Sequence, residues 1–231
     1  MQLNSEIDWE NVQSNFAKNK RTRIDNIFDQ NTSSQIHSIL SSEITFSNAF
    51  LYEDQVRTAS DDELNALSSA NKQDLQRSLF TDAANGKGFF YGTYRINSDA
   101  QVHPKLQEMF RWLNSDEILN RIQQICGKTN IVSANSQGTR YKAGDFLTRH
   151  NDINPREGRE IAYVFNLTPE WHPDWGGLLQ IFAQNGDAEE AYIPKFNSLS
   201  LFDVSLPHSV TYVTPFARQQ RFAVTGWFCN K

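Results

Sequence analysis

The sequence predicts an α+β fold that is mainly β, in which a jelly roll or β-sandwich is buttressed by N-terminal helices. Helical signals dominate the 231-residue chain up to about residue 128, and short strand-like segments separated by turn signals follow. No Pro/Gly/Ser-rich linker separates the two parts. We therefore expect one domain over residues 1–231, with a helix-rich support region at 1–128 and a β core at 129–231.

Capping signals and apolar spacing mark the helices of the support region. Ser60 to Glu63 has the form of a capping box and precedes apolar residues at helical spacing. Pro104 suits a first helical turn, and Gly127 suits the end of a helix that begins after Ser115. The other elements predicted here are a cap within residues 31–34, the apolar helix residues Ile36, Ile39, Leu40, Leu64, Leu67, Leu75, Leu79, Phe80, Leu106, Met109, Phe110, Leu113, Ile118, Leu119, Ile122 and Ile125, and interleaved strands at 23–28, 44–50 and 89–96.

Eight short segments after residue 128 predict strands, because they are rich in aromatic and β-branched residues and are bounded by turn signals. The segments are 131–141, 146–152, 159–168, 177–183, 190–194, 198–204, 208–213 and 220–229. The turn signals are at residues 142–145, 154–155, 175–177 and 185–187. This many short strands is typical of a sandwich or jelly roll.

Composition excludes several classes of protein. With 16 Phe, 7 Tyr and 5 Trp, the chain can build a core, and a formal net charge of −5 disfavours direct binding to nucleic acid. Two cysteines, Cys126 and Cys229, are too few for a disulfide scaffold and suit a reducing compartment. Neither a long apolar segment nor a signal-peptide pattern is present, so we expect a cytoplasmic protein without membrane contact.

Two H-x-D triplets are candidate metal-ligand pairs. Residues two apart on a strand point to the same side, so such a triplet aims an imidazole and a carboxylate at one point. His150 and Asp152 lie where a predicted strand ends, whereas His172 and Asp174 lie in an apparent loop. Four strands fit between Asp152 and His208, as a jelly roll requires to bring two distant strands together, and only three fit after Asp174. We therefore favour the first pair as ligands and interpret the second as a surface turn.

The third ligand of a 2-His-1-carboxylate triad should be a histidine beyond these strands. His208 is the candidate, although a strand-end histidine bound to the backbone has the same sequence appearance. His37 and His103 fall in or beside helical segments and suit surface or capping positions. A facial triad of this kind leaves coordination positions open and suits non-haem Fe(II) oxygenases.

A 2-oxo acid that chelates such a metal needs a cation for its far carboxylate, and arginine suits this role because its planar fork stays charged when buried. Arg221 begins the last predicted strand, and alternation places it on one face with Thr225 and Trp227. Arg218, in a predicted loop, is the competing cation. We favour Arg221 over Arg218 for this reason, and the alternative interpretation of Arg221 is a strand-end arginine in solvent.

Residues 141–152, YKAGDFLTRHND, resemble the Y-x-x-G-D-x-L-x-x-H-x-D signature of Fe(II)/2-oxoglutarate-dependent dioxygenases of the prolyl 4-hydroxylase type. Further similar pieces follow in the family's order at residues 159–167, 175–179, 207–210 and 221–228. The chain departs from the family in two places. His208 lies thirteen residues before Arg221, where nine to twelve is usual, and Asn166 stands where relatives often carry a tyrosine.

This resemblance implies a double-stranded β-helix with helices packed on it. It implies His150, Asp152 and His208 as Fe(II) ligands, and Arg221 on the far carboxylate of the cosubstrate 2-oxoglutarate. Thr225 and Tyr141 would hydrogen-bond the cosubstrate. O2 would be the oxidant, with ascorbate as a candidate reductant.

By the same resemblance, the substrate carbon belongs to a prolyl residue of a protein or peptide, or to free proline. Trp171, Trp175, Phe182 and Tyr192 could line a substrate groove or belong to the core. Two other hypotheses stay open at this point: a cupin-like metalloenzyme that does not use 2-oxoglutarate, and a non-catalytic jelly-roll module that binds a ligand or partner.

Overall fold

The computed structural model describes all 231 residues and contains six α-helices, most of them in the first half of the chain. They are α1 (Trp9–Asn19), α2 (Gln30–Ser38), α3 (Asp61–Ala66), α4 (Ser69–Ala84), α5 (Pro104–Leu113) and α6 (Asp116–Cys126). A π-helical turn, Ile39–Glu43, continues α2, and a 3-10 turn lies at Pro173–Trp175. No helix is both long enough and apolar enough to cross a membrane.

Thirteen strands form one continuous hydrogen-bonded system. They are β1 (Arg21–Asp25), β2 (Ser47–Tyr52), β3 (Gln55–Ser60), β4 (Phe89–Ile96), β5 (Ser133–Ala134), β6 (Ser136–Tyr141), β7 (Phe146–His150), β8 (Arg159–Asn166), β9 (Leu179–Phe182), β10 (Ala188–Tyr192), β11 (Ser198–Asp203), β12 (His208–Val210) and β13 (Arg221–Cys229). All eight segments predicted after residue 128 overlap a strand.

The strands fold into two facing parts. The order β1-β11-β8-β13-β6-β4 makes the larger part, which β2 and β3 extend, and the order β7-β12-β9-β10 makes the smaller part. β4 joins them because it pairs with both β6 and β7. All these pairs are antiparallel, and four strands separate β7 from its neighbour β12, as the sequence predicts. The architecture is the predicted double-stranded β-helix with helices packed on it.

Alternation along the central strands separates a helix-facing core from the interior between the two parts. On β8, Ile161 and Phe165 belong to a core cluster of 29 buried residues that also includes the apolar faces of α1, α2, α5 and α6. Ala162 and Val164, which alternate with them, belong to a separate interior cluster. The helices therefore cover one face of the larger sheet and leave the other face to form the site.

Several N-terminal elements differ from the sequence predictions. The predicted helix after Ser60 is two helices, because the chain turns extended at Leu67 and Ser68 caps a new helix by accepting a hydrogen bond from the Asn71 amide. The cap of α2 is Asp29, rather than a residue of 31–34. Helix α1 was not predicted, and neither was β3.

Candidate active site

A cavity of about 530 Å³ lies between the two parts of the β-helix. Its walls come from strands of both parts, because alternate side chains of each strand point inward. Apolar residues, among them Leu147, Leu179 and Phe202, make up about half of the lining. Five side chains of the lining are those of acidic or basic residues: His150, Asp152, Arg159, His208 and Arg221.

His150, Asp152 and His208 converge at one end of this cavity. His150 ends β7, Asp152 follows it, and His208 begins β12, where it lies opposite His150 in the strand pair. The Asp152 carboxylate lies 3.5 Å from Nε2 of His150 and 3.4 Å from Nε2 of His208. One donor atom from each side chain lies within 4.8 Å of the others. A backbone hydrogen bond from the Asp152 amide to the Val204 carbonyl fixes the residue after the strand ends.

The hydrogen bonds of the two imidazoles fit a metal site. Nδ1 of His150 lies 2.9 Å from the Thr148 carbonyl, and Nδ1 of His208 lies 3.0 Å from the Leu206 carbonyl. A carbonyl can only accept a hydrogen bond, so each Nδ1 is the donor, and in the neutral ring each Nε2 carries a lone pair. Two lone pairs and a carboxylate then face one another in a buried place, an arrangement that a divalent cation stabilises.

The pKa shifts of His208 and Asp152 favour the forms that bind a metal, whereas the pKa of His150 is raised. Burial lowers the pKa of His208, which keeps its imidazole neutral. Burial opposes the charged form of Asp152, but the two neighbouring histidines lower the pKa of its carboxyl below the usual range. Burial also opposes protonation of His150, and the adjacent Asp152 reverses this and raises its pKa.

Arg221 is a buried cation with no carboxylate partner. It is 2% exposed and lines the same cavity. Its guanidinium donates to the Gly177 carbonyl at 2.7 Å and to the Asn166 side-chain oxygen at 3.4 Å, both uncharged, and its Nε has no partner. Burial lowers the pKa of Arg221. A buried guanidinium without a counter-ion is costly, so the cavity is suited to an anion.

Tyr141 and Thr225 also lie on the cavity wall. Tyr141 is opposite Arg221 in the β6–β13 pair, and the Arg221 guanidinium carbon lies 5.3 Å from its ring centroid. Burial raises the pKa of Tyr141 well above its usual value, so its hydroxyl is a neutral donor. Asn166 stands where relatives often carry a tyrosine. It is buried, and its side-chain oxygen accepts a hydrogen bond from Arg221.

The competing candidates lie elsewhere. Arg218 is exposed in the loop before β13 and does not line the cavity. His172 and Asp174 are 57% and 79% exposed in the surface turn that the sequence predicts. His103 caps α5, whereas His37 is half-buried, with its ring edge-to-face against Phe222 at 5.8 Å.

The four aromatic residues considered for a substrate groove do not line the cavity. Trp171 is buried beside Tyr141, and Trp175 packs against the same cluster. Tyr192 packs against the interior cluster, and the Phe182 ring faces Arg149 at 5.7 Å. None of the four therefore belongs to the wall of the cavity that holds the converging side chains.

Two other parts of the wall were missed at the sequence level. The Arg159 guanidinium carbon lies 3.5 Å from the Trp227 ring centroid, and its Nη1 lies 3.9 Å from the Asp152 carboxylate. Tyr91, from β4 in the support region, stacks on Tyr141. Arg159 could have been suspected, because it begins a strand seven residues after Asp152, but no local signal marks Tyr91.

Comparison with known families decides the classification. Residues 136–229, which hold all three converging side chains and Arg221, match the family model of the 2OG-Fe(II) oxygenase superfamily. This part of the chain, which forms most of the β core, belongs to the superfamily. The oxygenase is 25% identical over 166 residues to prolyl 3-hydroxylase OGFOD1 of Mus musculus, an alignment that covers 61% of the chain and 30% of the mouse protein. It is 27% identical over 151 residues to the Xenopus laevis protein of the same name, covering 54% and 29%. The aligned part of the oxygenase thus spans less than a third of these curated relatives.

Solved structures confirm the fold of the oxygenase over nearly its whole length. A prolyl-4-hydroxylase of Pseudomonas putida superposes with a TM-score of 0.66 at 17% identity, covering 96% of this chain and 99% of that one. A Trichoplax adhaerens prolyl hydroxylase, solved with a hypoxia inducible factor peptide fragment, gives 0.64 at 21% identity, covering 98% and 94%. Both matches include the N-terminal helices and strands as well as the β core.

Proposed function

We propose that the oxygenase hydroxylates a prolyl residue within a polypeptide, with Fe(II) held by His150, Asp152 and His208 and with 2-oxoglutarate as cosubstrate. One observation carries the proposal: a convergence of two imidazoles and a carboxylate shares a cavity with a buried arginine that faces no carboxylate. Fe(II) bound at the three side chains supplies the chemistry in which O2 converts 2-oxoglutarate to succinate and CO2 and one oxygen atom enters a substrate C–H bond. Ascorbate is the proposed reductant that keeps the iron in its Fe(II) form.

Four other side chains and one backbone carbonyl of the oxygenase bind and orient the cosubstrate. Arg221 pairs with the far carboxylate of 2-oxoglutarate, and its fork gains the charged partner that the protein itself does not provide. Tyr141 and Thr225 donate hydrogen bonds to the same cosubstrate. The Gly177 carbonyl and the Asn166 side-chain oxygen accept hydrogen bonds from the guanidinium, which orients it before the cosubstrate binds.

The apolar wall keeps water away from the reacting centre. Leu147, Leu179, Phe202 and Val210 line the cavity, and the Phe202 ring packs edge-to-face on His208 at 4.7 Å. A dry wall strengthens the charge pairing at Arg221 and protects the reactive centre from solvent.

The charges of the cavity favour a peptide over free proline. Asp152 is the one carboxylate that lines it, and it belongs to the metal site. Free proline is a zwitterion: Arg159 offers its carboxylate a partner, but its ammonium would lie among histidines and arginines without an acidic partner, which is unfavourable. A prolyl residue inside a chain carries no charge. The curated relatives are named prolyl 3-hydroxylases, and this similarity also supports a prolyl substrate.

The test is cosubstrate turnover with a panel of substrates. The protein is purified without chelator and supplied with Fe(II), 2-oxoglutarate and ascorbate, and succinate release is measured with proline-containing peptides, lysate proteins and free proline. We expect peptide-stimulated succinate and hydroxyproline in the digested peptide, whose 3- and 4-isomers are separated by amino-acid analysis. Metal binding without succinate release would indicate the cupin-like enzyme instead, and absence of metal binding would indicate a binding module.

A further inference from the structure

Arg221, Tyr141 and Tyr91 form a row across three neighbouring strands. Arg221 on β13 is opposite Tyr141 on β6. The β4–β6 register pairs Gly92 with Arg140, which places Tyr91 opposite Tyr141 one position along. Because β6 lies between β13 and β4, Arg221 and Tyr91 flank Tyr141 from opposite sides.

The side chains of this row are in contact. The ring centroids of Tyr91 and Tyr141 are 5.2 Å apart, and the ring planes differ by only 14°. The Arg221 guanidinium carbon lies 5.3 Å from the Tyr141 centroid. Tyr141 therefore lies between a guanidinium and a second aromatic ring, and all three side chains line the cavity.

The contact matters because Arg221 has few other partners. Two uncharged oxygens accept its hydrogen bonds, and the Tyr141 ring is its aromatic neighbour. Tyr141 is 4% exposed and makes no side-chain hydrogen bond, so packing alone sets its ring orientation. Tyr91 contributes to that packing, because its ring stacks on the ring of Tyr141.

Gly92, which follows Tyr91 on β4, lies in a crowded place against Arg140 of β6. A Cβ atom at Gly92 would lie 2.9 Å from the Arg140 Nε and 3.3 Å from the Arg140 carbonyl oxygen. A side chain at residue 92 would crowd Arg140, and glycine avoids this where the two strands pair.

We propose that Tyr91 is a positioning residue, which holds Tyr141 against Arg221 and thereby sets the affinity of the oxygenase for 2-oxoglutarate. This inference rests on the proposed function, because it takes the Arg221 end of the cavity as the cosubstrate site. It gives the N-terminal support region a direct part in cosubstrate binding.

The experiment compares Tyr91→Leu and Tyr91→Phe with the wild-type enzyme. Removal of the ring should raise the KM for 2-oxoglutarate roughly five- to thirty-fold, the range of a lost aromatic pair combined with a weakened cation–π contact. Tyr91→Phe should stay near the wild-type value, because stacking needs the ring and not the hydroxyl. Fe(II) affinity should not change in either variant, because the three ligands lie on or beside β7 and β12.

Phe90→Leu is the matched control. Phe90 is the neighbouring residue on β4, stacks on Phe50 at 5.6 Å and does not line the cavity. It should lose stability without a change in the KM for 2-oxoglutarate. An unchanged KM in Tyr91→Leu, an equal rise in Tyr91→Phe, or an equal rise in Phe90→Leu would each overturn the inference. If Tyr91→Leu unfolds below the assay temperature, Tyr91→Met takes its place.

Direct binding of 2-oxoglutarate separates this inference from the proposed function. Calorimetry with Mn(II) in place of Fe(II) gives the dissociation constants of the same variants without turnover. A wild-type protein that binds 2-oxoglutarate but hydroxylates no peptide would refute the prolyl hydroxylase proposal alone, and the variants would still decide the role of Tyr91. A wild-type protein that does not bind 2-oxoglutarate would overturn both.

Discussion

His208 lies directly opposite His150 in the β12–β7 strand pair, and their ring centroids are 4.3 Å apart. Four intervening strands form before the chain returns to this position, so the contact exists only in the completed β-helix. The Asp152 carboxylate then reaches both imidazoles. Formation of the candidate metal site and completion of the fold are therefore coupled.

Substitution of His208 tests this metal site. His208→Ala removes one of the three ligands, so Fe(II) affinity should fall by more than the roughly 10- to 100-fold that loss of an outer hydrogen-bond partner costs. Turnover of 2-oxoglutarate should be lost with it. Metal titration and succinate release measure the two effects.

His172→Ala is the control for that experiment. His172 belongs to the other H-x-D triplet but is exposed on a surface turn, so both metal affinity and turnover should stay near wild type. A His172→Ala protein without activity beside an active His208→Ala protein would refute the assignment.

Substitution of Arg221 tests the cosubstrate anchor. Loss of one partner of a buried charge pair costs roughly 2–5 kcal/mol, so Arg221→Ala should raise the KM for 2-oxoglutarate by about 30-fold to several thousand-fold. Arg221→Lys should be intermediate, because the charge remains but the fork is lost. Fe(II) binding should persist. The exposed Arg218 gives the comparison: a large KM shift in Arg218→Ala with none in Arg221→Ala would move the anchor to residue 218.

The sequence was sufficient to predict the part of the site that depends on local pattern. Strand alternation and the end of β7 singled out His150 and Asp152, and the four-strand separation led to His208. Tyr91 and β3 could not be found in this way. Tyr91 reaches the site only because β4 pairs with β6, which is 40 or more residues distant in the chain. β3 turns back from β2 through Glu53 and Asp54, both at positive φ, and not through the Asn-Gly or Asp-Gly pair that marks most such hairpins.

Asp145 should make the stability of the protein depend on pH. Burial raises the pKa of its carboxyl to about 7, although the Lys142 amide donates to it at 2.9 Å. In the unfolded chain the pKa is about 3.9, so the folded state holds the proton more tightly between these values. The stabilising contribution is complete below about pH 4 and falls as the pH rises through 7, by at most about 4 kcal/mol.

Asp145→Asn isolates this effect. Its side-chain oxygen can still accept the Lys142 amide hydrogen bond, but it does not titrate. Urea unfolding of both proteins at pH 5 and pH 8 should show a smaller loss of the free energy of unfolding in the variant. Equal losses in the two proteins would show that Asp145 titrates normally.

Removal of the support region should prevent folding of the β core. Residues 1–128 supply β1 to β4 and more than half of the 29 residues of the main core cluster. A chain of residues 129–231 would expose the outer face of β8 and β13 and lack Tyr91. We expect it to be insoluble or to show no cooperative thermal transition in circular dichroism. A soluble, cooperatively folded and active fragment would contradict the prediction of a single inseparable domain.

The coupling between succinate and hydroxyproline tests the central claim most directly. Succinate and peptide hydroxyproline are quantified in the same reaction, for the wild-type enzyme and for Asp152→Ala. We predict close to one hydroxyproline for each peptide-dependent succinate, with both products absent in the variant. Peptide-independent succinate release alone, or hydroxylation that persists in Asp152→Ala, would contradict the proposed prolyl hydroxylase.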